Sequence, residues 1–303
     1  MRLFLVSLTV WMSLATAVAT SAPAHSVVDG LPRTAVVSAF PPEMAVLRAD
    51  LEDAASLRMN GVEFVTGKLE GSDVVLFLSG ISMVNAAMTV QLALDHFEVD
   101  RIVFSGIAGG VNPDLDIGDV VIAERWGQYL EALFARDVDG GWETVPFFEY
   151  PYANFGMMFP RSLTVSRTGS AEPETRFWFP VDDALLGRAR RVAPGMSLKR
   201  CNVEGRCLPH APRVAVGGPG VSGGAFIDNA EFREYAFRTF GAQVLDMESA
   251  AVAHVAWANG VPFIAVRSLS DLAGGSGQAN QIEVFLGLAA ENAARVVKAL
   301  IRD

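Results

Sequence analysis

The chain has 303 residues, of which 51% are hydrophobic and 19% are charged, and this composition excludes a disordered or collagen-like protein. Its 34 acidic residues outnumber its 24 Lys and Arg residues, and the resulting net charge of −10 argues against a protein that binds nucleic acid or an anionic membrane. The mean hydropathy of +0.30 is high for a soluble enzyme and points to an export or membrane segment.

The first predicted element is an apolar leader. Arg2 supplies a positive charge, and residues 3–19 contain no charged side chain. Small residues then form two cleavage patterns, which end at Ala19 and at Ala24. We interpret residues 1–24 as a secretory signal peptide and expect a periplasmic or secreted protein without stable membrane insertion after cleavage. The alternative is an uncleaved anchor, which the short run disfavours because a spanning helix needs about 20 apolar residues.

Strands and helices alternate through the first half of the mature chain. The predicted strands span residues 34–39, 61–69, 73–78, 101–104 and 119–124, and the predicted helices span residues 42–57 and 84–96. The uncharged stretch 74–94 is long enough to imitate a membrane span. Ser79 and Gly80 interrupt it, which favours a buried strand, a glycine turn and a helix. A glycine loop is predicted over 106–110.

The composition changes at about residues 126–212, which are rich in aromatic residues, prolines and glycines. Only residues 181–192 have convincing helical spacing there, so we predict an aromatic-rich insertion. Strands are then predicted over 214–216, 243–245 and 263–268, and helices over 229–240, 247–259 and 282–301. The alternation predicts one α/β domain over 33–303, with three layers (α/β/α) around a central mixed, twisted sheet.

The two cysteines, Cys201 and Cys207, lie close together in a segment rich in loop-forming residues. In an oxidising compartment this spacing favours a local disulfide. A metal site would need more ligands nearby, and His210 alone does not supply them. His254 lies on an apolar helix, and we expect it to be a core histidine rather than a base.

Four segments place polar groups after apolar strands, where open α/β sheets hold their ligands. They contain Glu43, the glycine loop 106–110, the acids Asp246 and Glu248, and Asp271. Each feature alone has a structural explanation, because acids at helix N-termini complement the helix dipole and glycine loops are often only tight turns. The prediction of a site therefore rests on the combination.

Together these segments resemble the nucleoside phosphorylase and nucleosidase superfamily, and most of all the methylthioadenosine/S-adenosylhomocysteine nucleosidases. The matching passages are residues 35–43, 78–81, 105–110, 118–121, 222–227, 246–251 and 261–271. They span most of the mature chain outside the aromatic-rich segment. The resemblance implies a nucleoside phosphorylase-like fold and a homo-oligomer, with a dimer favoured, and it implies neither a metal nor an organic cofactor.

The resemblance also implies catalytic roles. Asp271 corresponds to the general acid that protonates N7 of the purine, so that the base leaves as a neutral group. Ser270 and Arg267 correspond to the residues that orient this acid. Glu43 corresponds to the carboxylate that activates the attacking water.

A purine nucleoside is the expected small-molecule partner. Phe226 corresponds to the ring that stacks on the base, and Ile227 to the residue whose backbone reads the purine edge. Met247 corresponds to the residue that packs against the ribose, and Glu248 to the carboxylate that accepts hydrogen bonds from its hydroxyls. Gly109 belongs to the glycine loop, which can expose backbone N–H groups to a close ligand.

The sequence departs from the family pattern in ways that bear on the nucleophile. Phosphorylases of this superfamily hold phosphate with arginines where this chain has residues 40–42 and 104–105, so water is the expected attacker. Ile107 stands where nucleosidases often carry Ser, and Gly224 where they often carry Asp. We expect an exported nucleosidase that hydrolyses the N-glycosidic bond of methylthioadenosine, S-adenosylhomocysteine or adenosine. The alternatives are a purine nucleoside phosphorylase and a non-catalytic nucleoside-binding protein.

Overall fold

The computed structural model describes residues 27–275, 277 and 279–302, so the predicted leader lies outside the described residues. The strands are β1 Arg33–Ser38, β2 Glu52–Met59, β3 Val62–Leu69, β4 Ser72–Leu78, β5 Val99–Gly110, β6 Val120–Ile122, β7 Arg125–Gln128, β8 Ala132–Phe134, β9 Arg136–Val138, β10 Gly141–Glu143, β11 Met158–Pro160, β12 Leu163–Val165, β13 Glu174–Arg176, β14 Trp178–Pro180, β15 Val214–Val216, β16 Pro219–Ser222, β17 Val244–Asp246 and β18 Phe263–Asp271. The helices are α1 Pro41–Ala49, α2 Met83–His96, α3 Asp183–Val192, α4 Ala230–Phe240, α5 Ser249–Asn259 and α6 Ile282–Ile301. None of the helices in this described part of the chain is both long enough and apolar enough to cross a membrane.

One mixed sheet organises the molecule. Nine strands follow the order β14-β7-β16-β17-β5-β1-β4-β3-β2, while β18 pairs with β5 and β6, and β6 pairs with β15. The central strands β4, β1, β5 and β18 run parallel to one another. Helices cover such strands on both faces, which is why every residue of β1 and β18 is buried.

The helices form layers on either side of the sheet. Helix α6 packs against α1, α3 and β18, whereas α5 packs against α2, β7 and β16. Helix α4 contributes to a second apolar cluster, which it shares with Trp178 of β14 and with aromatic residues of the segments next to β7 and β14. The mixed sheet between helices confirms the predicted α/β fold.

The helix predicted over 42–57 is too long. Helix α1 ends at Ala49, and residues 52–59 form β2, which pairs with β3 in antiparallel register. Asp53 has a φ of 53°, a left-handed conformation that a right-handed helix does not contain. Pairing with β3, which the local spacing does not show, therefore decides the structure of this segment.

The glycine loop predicted over 106–110 is the second half of the long strand β5. A Cβ atom on Gly106 would lie 2.0 Å from Nη1 of Arg267 and 2.6 Å from Oε1 of Glu43. The glycine is therefore needed for the close approach of two side chains, not for a turn. Likewise, the strand predicted over 263–268 extends to Asp271.

Part of the predicted insertion belongs to the main sheet, since β7 and β14 pair at its edge. Between them, three small antiparallel pairs lie outside that sheet: β8 with β11, β9 with β10, and β12 with β13. Further along the segment, a disulfide joins Cys201 to Cys207. The aromatic-rich segment thus contains both sheet strands and peripheral hairpins.

Candidate active site

A cavity of about 280 Å³ opens where β1, β5 and β18 end. The side chains predicted to bind substrate or to act in catalysis meet there, with one exception, Arg267, which lies behind the cavity wall. The predicted residues that line the cavity are Glu43, Gly109, Phe226, Ile227, Met247, Glu248, Ser270 and Asp271. The remaining lining is mostly apolar and includes Phe40, Ile81, Ile107, Ile282 and Leu286.

Glu43 lies in the first turn of α1, directly after β1, and is 1% exposed. Its Oε2 accepts hydrogen bonds from the backbone N–H groups of Ala39, at 2.7 Å, and Phe40, at 3.3 Å. Its Oε1 accepts one from the N–H of Ile107 at 2.8 Å. Burial raises the pKa of Glu43, while the positive charge of Arg267 and these three N–H groups oppose the rise. The ends of two neighbouring strands therefore fix this carboxyl group in the cavity wall.

Arg267 is fully buried on β18 and faces three acids. Its Nε lies 2.7 Å from Oδ2 of Asp246 and donates a hydrogen bond to Oγ of Ser249 at 2.9 Å. Its Nη1 lies 3.8 Å from Oε1 of Glu43, and its Nη2 lies 3.6 Å from Oε2 of Glu248. Neither Nη atom has a hydrogen-bond partner among the described residues. One guanidinium thus balances three buried carboxyl groups and keeps donors free toward two of them.

The prediction that Arg267 orients Asp271 is wrong. The two residues are four positions apart on the same strand, which separates them by about 13 Å of extended backbone. Arg267 instead supports the acids on β17 and α1. The hydroxyl of Ser270 does contact Asp271, as described below.

Asp246, whose place at a helix N-terminus has a simple explanation in the helix dipole, is also a member of the site. Its Oδ1 accepts hydrogen bonds from the hydroxyl of Ser222 and the N–H of Ser249, and its Oδ2 accepts one from the Ser249 hydroxyl. The Ser222 oxygen in turn accepts from the N–H of Ala250 at 2.8 Å. The sequence does not show this network directly. The features that could have revealed it are a serine at the end of β16 and another at the start of α5, close to Asp246.

Glu248 precedes α5 and points into the cavity. Its Oε1 accepts a hydrogen bond from the N–H of Ser82 at 2.8 Å. Burial raises its pKa to about 7; the charge of Arg267 opposes this rise, and the negative charges of Asp246 and Glu43 add to it. Glu248 is therefore a cavity carboxyl group whose charge changes near neutral pH.

Asp271 ends β18 and is also buried. Its Oδ2 accepts a hydrogen bond from the hydroxyl of Ser270 at 2.9 Å, and its Oδ1 accepts one from the N–H of Ala273 at 2.8 Å. Burial raises the pKa of Asp271 more than these hydrogen bonds lower it. A raised pKa favours the protonated form, which is the form that a general acid requires.

Phe226 and Ile227 form the open rim of the cavity. The Phe226 side chain is 56% exposed, whereas Ile227 packs against the second apolar cluster. Tyr129, from the aromatic-rich segment, lies beneath this loop so closely that a Cβ on Gly223 would be 2.6 Å from its ring. The aromatic-rich segment therefore supports the loop that carries the predicted base-binding residues.

Most of the polar side chains that line the cavity are carboxyl groups. None of the described lining residues is Lys or Arg. In the described part of the chain, no group of His, Cys, Asp and Glu side chains is arranged to hold a metal ion. His254 does not line the cavity; its ring stacks on Phe179 at 4.4 Å, and burial lowers its pKa.

Comparisons with known proteins agree with this geometry. A family model described as the phosphorylase superfamily matches residues 33–302. The chain is 31% identical over 270 residues to the 5'-methylthioadenosine/S-adenosylhomocysteine nucleosidase of Geobacillus kaustophilus, an alignment that covers 89% of this chain and 96% of the relative. Among solved structures, the nucleosidase of that name from Neisseria meningitidis, in complex with methylthio-immucillin-A, has a TM-score of 0.66 at 26% identity and covers 90% of this chain and 99% of its own.

A second solved structure has the same fold under another name. The futalosine hydrolase of Helicobacter pylori strain 26695 has a TM-score of 0.63 at 21% identity, and the match covers 89% of this chain and 97% of that protein. At this identity the likeness concerns the fold alone. The identity of the bound molecule must therefore be argued from the cavity itself.

Proposed function

Because the chain belongs to the phosphorylase superfamily, we propose that it is a purine nucleosidase that hydrolyses the N-glycosidic bond of adenine nucleosides to free base and sugar. The observation that carries the proposal is that Glu43, on α1, and Asp271, on β18, face one cavity, each with its own set of hydrogen bonds. One acid can therefore donate a proton while the other accepts one. Relatives and solved neighbours with nucleosidase names support this reaction class.

In the proposed reaction, Asp271 donates its proton to N7 of the purine. The electron pair of the bond between C1′ and N9 passes to the base, which leaves as the neutral purine, and the sugar becomes oxocarbenium-like. Water attacks C1′ and transfers a proton to Glu43. Proton exchange with solvent then restores both carboxyl groups to their starting states.

Arg267 is proposed to position the attacking water. Its two Nη atoms lie 3.8 Å and 3.6 Å from the acids Glu43 and Glu248, distances that a water molecule or a sugar hydroxyl bridges. The free donors on Nη1 and Nη2 point to such a bridge, because a buried guanidinium donor without a partner is costly. Glu248 then accepts hydrogen bonds from the sugar.

Water is favoured over phosphate as the nucleophile because the cavity is acidic. A phosphate dianion would meet Glu43, Glu248 and Asp271, while the charge of Arg267 already balances three carboxyl groups. A phosphorylase is therefore the second candidate. A binding protein without turnover is the third, and it would have no use for an acid and a base in one cavity.

The 5′ group of the nucleoside is proposed to be a thioether or a hydroxyl, with methylthioadenosine, S-adenosylhomocysteine and adenosine as the candidates. Ile81, Ile282 and Leu286 provide an apolar wall that suits a methylthio group. The relatives of this chain are named for the first two of these nucleosides.

Export and self-association are also proposed. The apolar leader and the disulfide support a periplasmic or secreted protein, since disulfides persist in oxidising compartments. A homodimer is supported by Ile81, which lines the cavity, and by Val84 and Met88 of α2, because all three are exposed apolar side chains. Analytical ultracentrifugation of the mature chain tests the dimer.

The test of the reaction is adenine release from 5′-methylthioadenosine, S-adenosylhomocysteine and adenosine, in phosphate-free buffer and in buffer with added phosphate. We expect release of equal rate in both buffers, with a free sugar as the second product. Release that strictly requires phosphate, with a sugar phosphate as product, would instead identify a phosphorylase. Tight binding without release would identify a binding protein.

A further inference from the structure

The disulfide closes a small hairpin that is also held by its own hydrogen bonds. The N–H of Asn202 donates to the carbonyl of Arg206 at 2.9 Å, and the N–H of Arg206 donates to Oδ1 of Asn202 at 2.9 Å. Cys201 and Cys207 face each other as bridge partners at the base of this turn. The position of the Asn202 side chain is therefore set by covalent and hydrogen-bonded neighbours.

The hairpin is docked on α6 at three points. The Nδ2 group of Asn202 donates a hydrogen bond to the carbonyl of Val284 at 2.9 Å. Leu208 is 2% exposed and packs in one apolar cluster with Phe285 and Leu288. Two turns further along the helix, Asn292 exchanges two hydrogen bonds with the backbone of residue 199, at 2.7 Å and 3.0 Å.

The opposite side of the same helix forms part of the cavity. Ile282 and Leu286 line the cavity and are four residues apart, so they share one face of α6. Val284 lies about 200° around the helix from Ile282 and packs against the apolar cluster that contains Leu208. The hairpin thus contacts the first turns of α6 on one side, while the opposite side of these turns lines the cavity.

We propose that the Cys201–Cys207 hairpin, acting through Asn202, is a positioning element that sets the affinity of the cavity for the 5′ substituent of the nucleoside. The proposal rests on the proposed function for the identity of the ligand. The groups assigned to the chemistry lie elsewhere, with Glu43 on α1 and Asp271 on β18. Loosening α6 therefore weakens binding of the 5′ group and leaves the chemical step largely unchanged.

The redox state of the two cysteines affects binding of the 5′ substituent through conformational entropy. When the hairpin is open, Asn202 and the segment around it have more conformations to lose whenever the helix wall is held in its binding position. Reduction is expected to act like removal of the Asn202 contact. The hairpin is exposed, so a thiol reagent can reach it.

Asn202→Asp is the sharpest variant. It keeps Oδ1, the acceptor for Arg206, and removes the Nδ2 donor to Val284. We expect KM for 5′-methylthioadenosine to rise about three- to tenfold, the effect of one lost hydrogen bond, with kcat unchanged. KM for adenosine should rise less, because adenosine lacks the methylthio group. The matched control is Asn154→Asp, which removes a similar donor, to the carbonyl of Gly156, in the aromatic-rich segment.

The cysteine variants test the covalent part. The double variant Cys201→Ser/Cys207→Ser should have the same raised KM, and dithiothreitol should raise the KM of the wild type but not that of the double variant. Hydrogen–deuterium exchange provides a readout without turnover. Amides of the first two turns of α6 should exchange about fivefold faster in the variants, as expected for one lost contact.

Each outcome has one meaning. Unchanged exchange in α6, or an unchanged KM with a lowered kcat, would overturn the positioning role. If no nucleoside is hydrolysed by any form, the proposed function fails, and the hairpin is then judged by exchange and by the affinity for 5′-methylthioadenosine measured in a calorimeter. Faster exchange with no change in that affinity would also overturn the proposal.

Discussion

The carboxyl ends of the central strands and the peripheral hairpins β8 to β13 use charged side chains in opposite ways. At the strand ends, three carboxyl groups share the buried guanidinium of Arg267. In the hairpins, the pair between Arg136 and Glu143 joins two exposed side chains at 2.9 Å. An exposed pair contributes little to stability, and a buried cluster with more acids than bases is costly. The buried cluster is therefore explained by the chemistry of the site, and similar substitutions in the two regions should have very different effects.

The largest difference is expected for Asp→Asn. Asp271→Asn should lower kcat for adenine release by about 10³-fold, because an amide cannot donate the proton that the leaving base needs. Asp137→Asn, in the exposed strand β9, should leave kcat unchanged. Steady-state assays with 5′-methylthioadenosine check the rates, and calorimetry checks that Asp271→Asn still binds it. Full activity of Asp271→Asn would show that another group supplies the proton.

Gly→Ala should have the next largest effect. Gly106→Ala places a Cβ 2.0 Å from Nη1 of Arg267, so either the guanidinium or β5 must move. A displacement of about 1 Å in such a site costs on the order of 10²-fold in kcat/KM. Gly141→Ala, in β10, meets no atom within 4 Å and should be neutral. Urea unfolding of both variants measures the accompanying loss of stability, and equal behaviour of the two would contradict the packing argument.

Glu→Gln tests the group that titrates near neutrality. Burial raises the pKa of Glu248 to about 7, and its ionised form is the one proposed to accept hydrogen bonds from the sugar, so kcat/KM should fall about tenfold for each pH unit below 7. Glu248→Gln should flatten this limb of the profile. Glu143→Gln, in β10, should keep it. The pH dependence of kcat/KM from pH 5 to 9 provides the measurement.

The same shift has a consequence for stability. The folded-state pKa of Glu248 lies above its ordinary value of 4.5, so the folded protein holds the proton more tightly than the unfolded chain. The free energy of unfolding therefore falls as pH rises from about 4.5 to 7 through this group. Glu248→Gln removes that contribution, and a wild-type-like slope in the variant would show that other groups cause it.

Phe→Leu should have the smallest effect. Phe226 lies at the cavity rim, so Phe226→Leu should raise KM about three- to tenfold through lost stacking on the base. Its stability should hardly change, because the side chain is 56% exposed. Phe147→Leu, at a residue that is 75% exposed in the aromatic-rich segment, should alter neither KM nor stability. A raised KM in Phe147→Leu would place the segment at the binding site.

Local pattern was sufficient for the elements that pack against the core along their whole length. The helix boundaries predicted for α4 and α6 agree with the structure within a residue, because their apolar faces repeat regularly over several turns. Local pattern failed where a distant partner decides the structure. Strand β2 forms because β3 pairs with it, and residues 106–110 stay extended because β18 lies beside them.

The candidate site shows the same difference between what local pattern predicts and what distant partners decide. Glu43 and Asp271 could be found because acids after apolar strands stand out and match a family pattern. The partners of Arg267 could not be found, because they depend on which strands become neighbours. Asp246 lies on β17 and Arg267 lies on β18. The two residues become neighbours because both strands pair with β5.

The pairing of β5 with β18 has a further consequence, for folding fidelity. Arg267 lies opposite Gly106, the position where its guanidinium has room. A slip by one residue would set Arg267 opposite Ser105 or Ile107, whose side chains occupy that space, and would turn alternate residues of the strand to the other face. Such a misregistered molecule could remain compact yet would have no assembled site. The fraction of a refolded preparation that is active therefore counts the molecules whose two central strands have paired correctly.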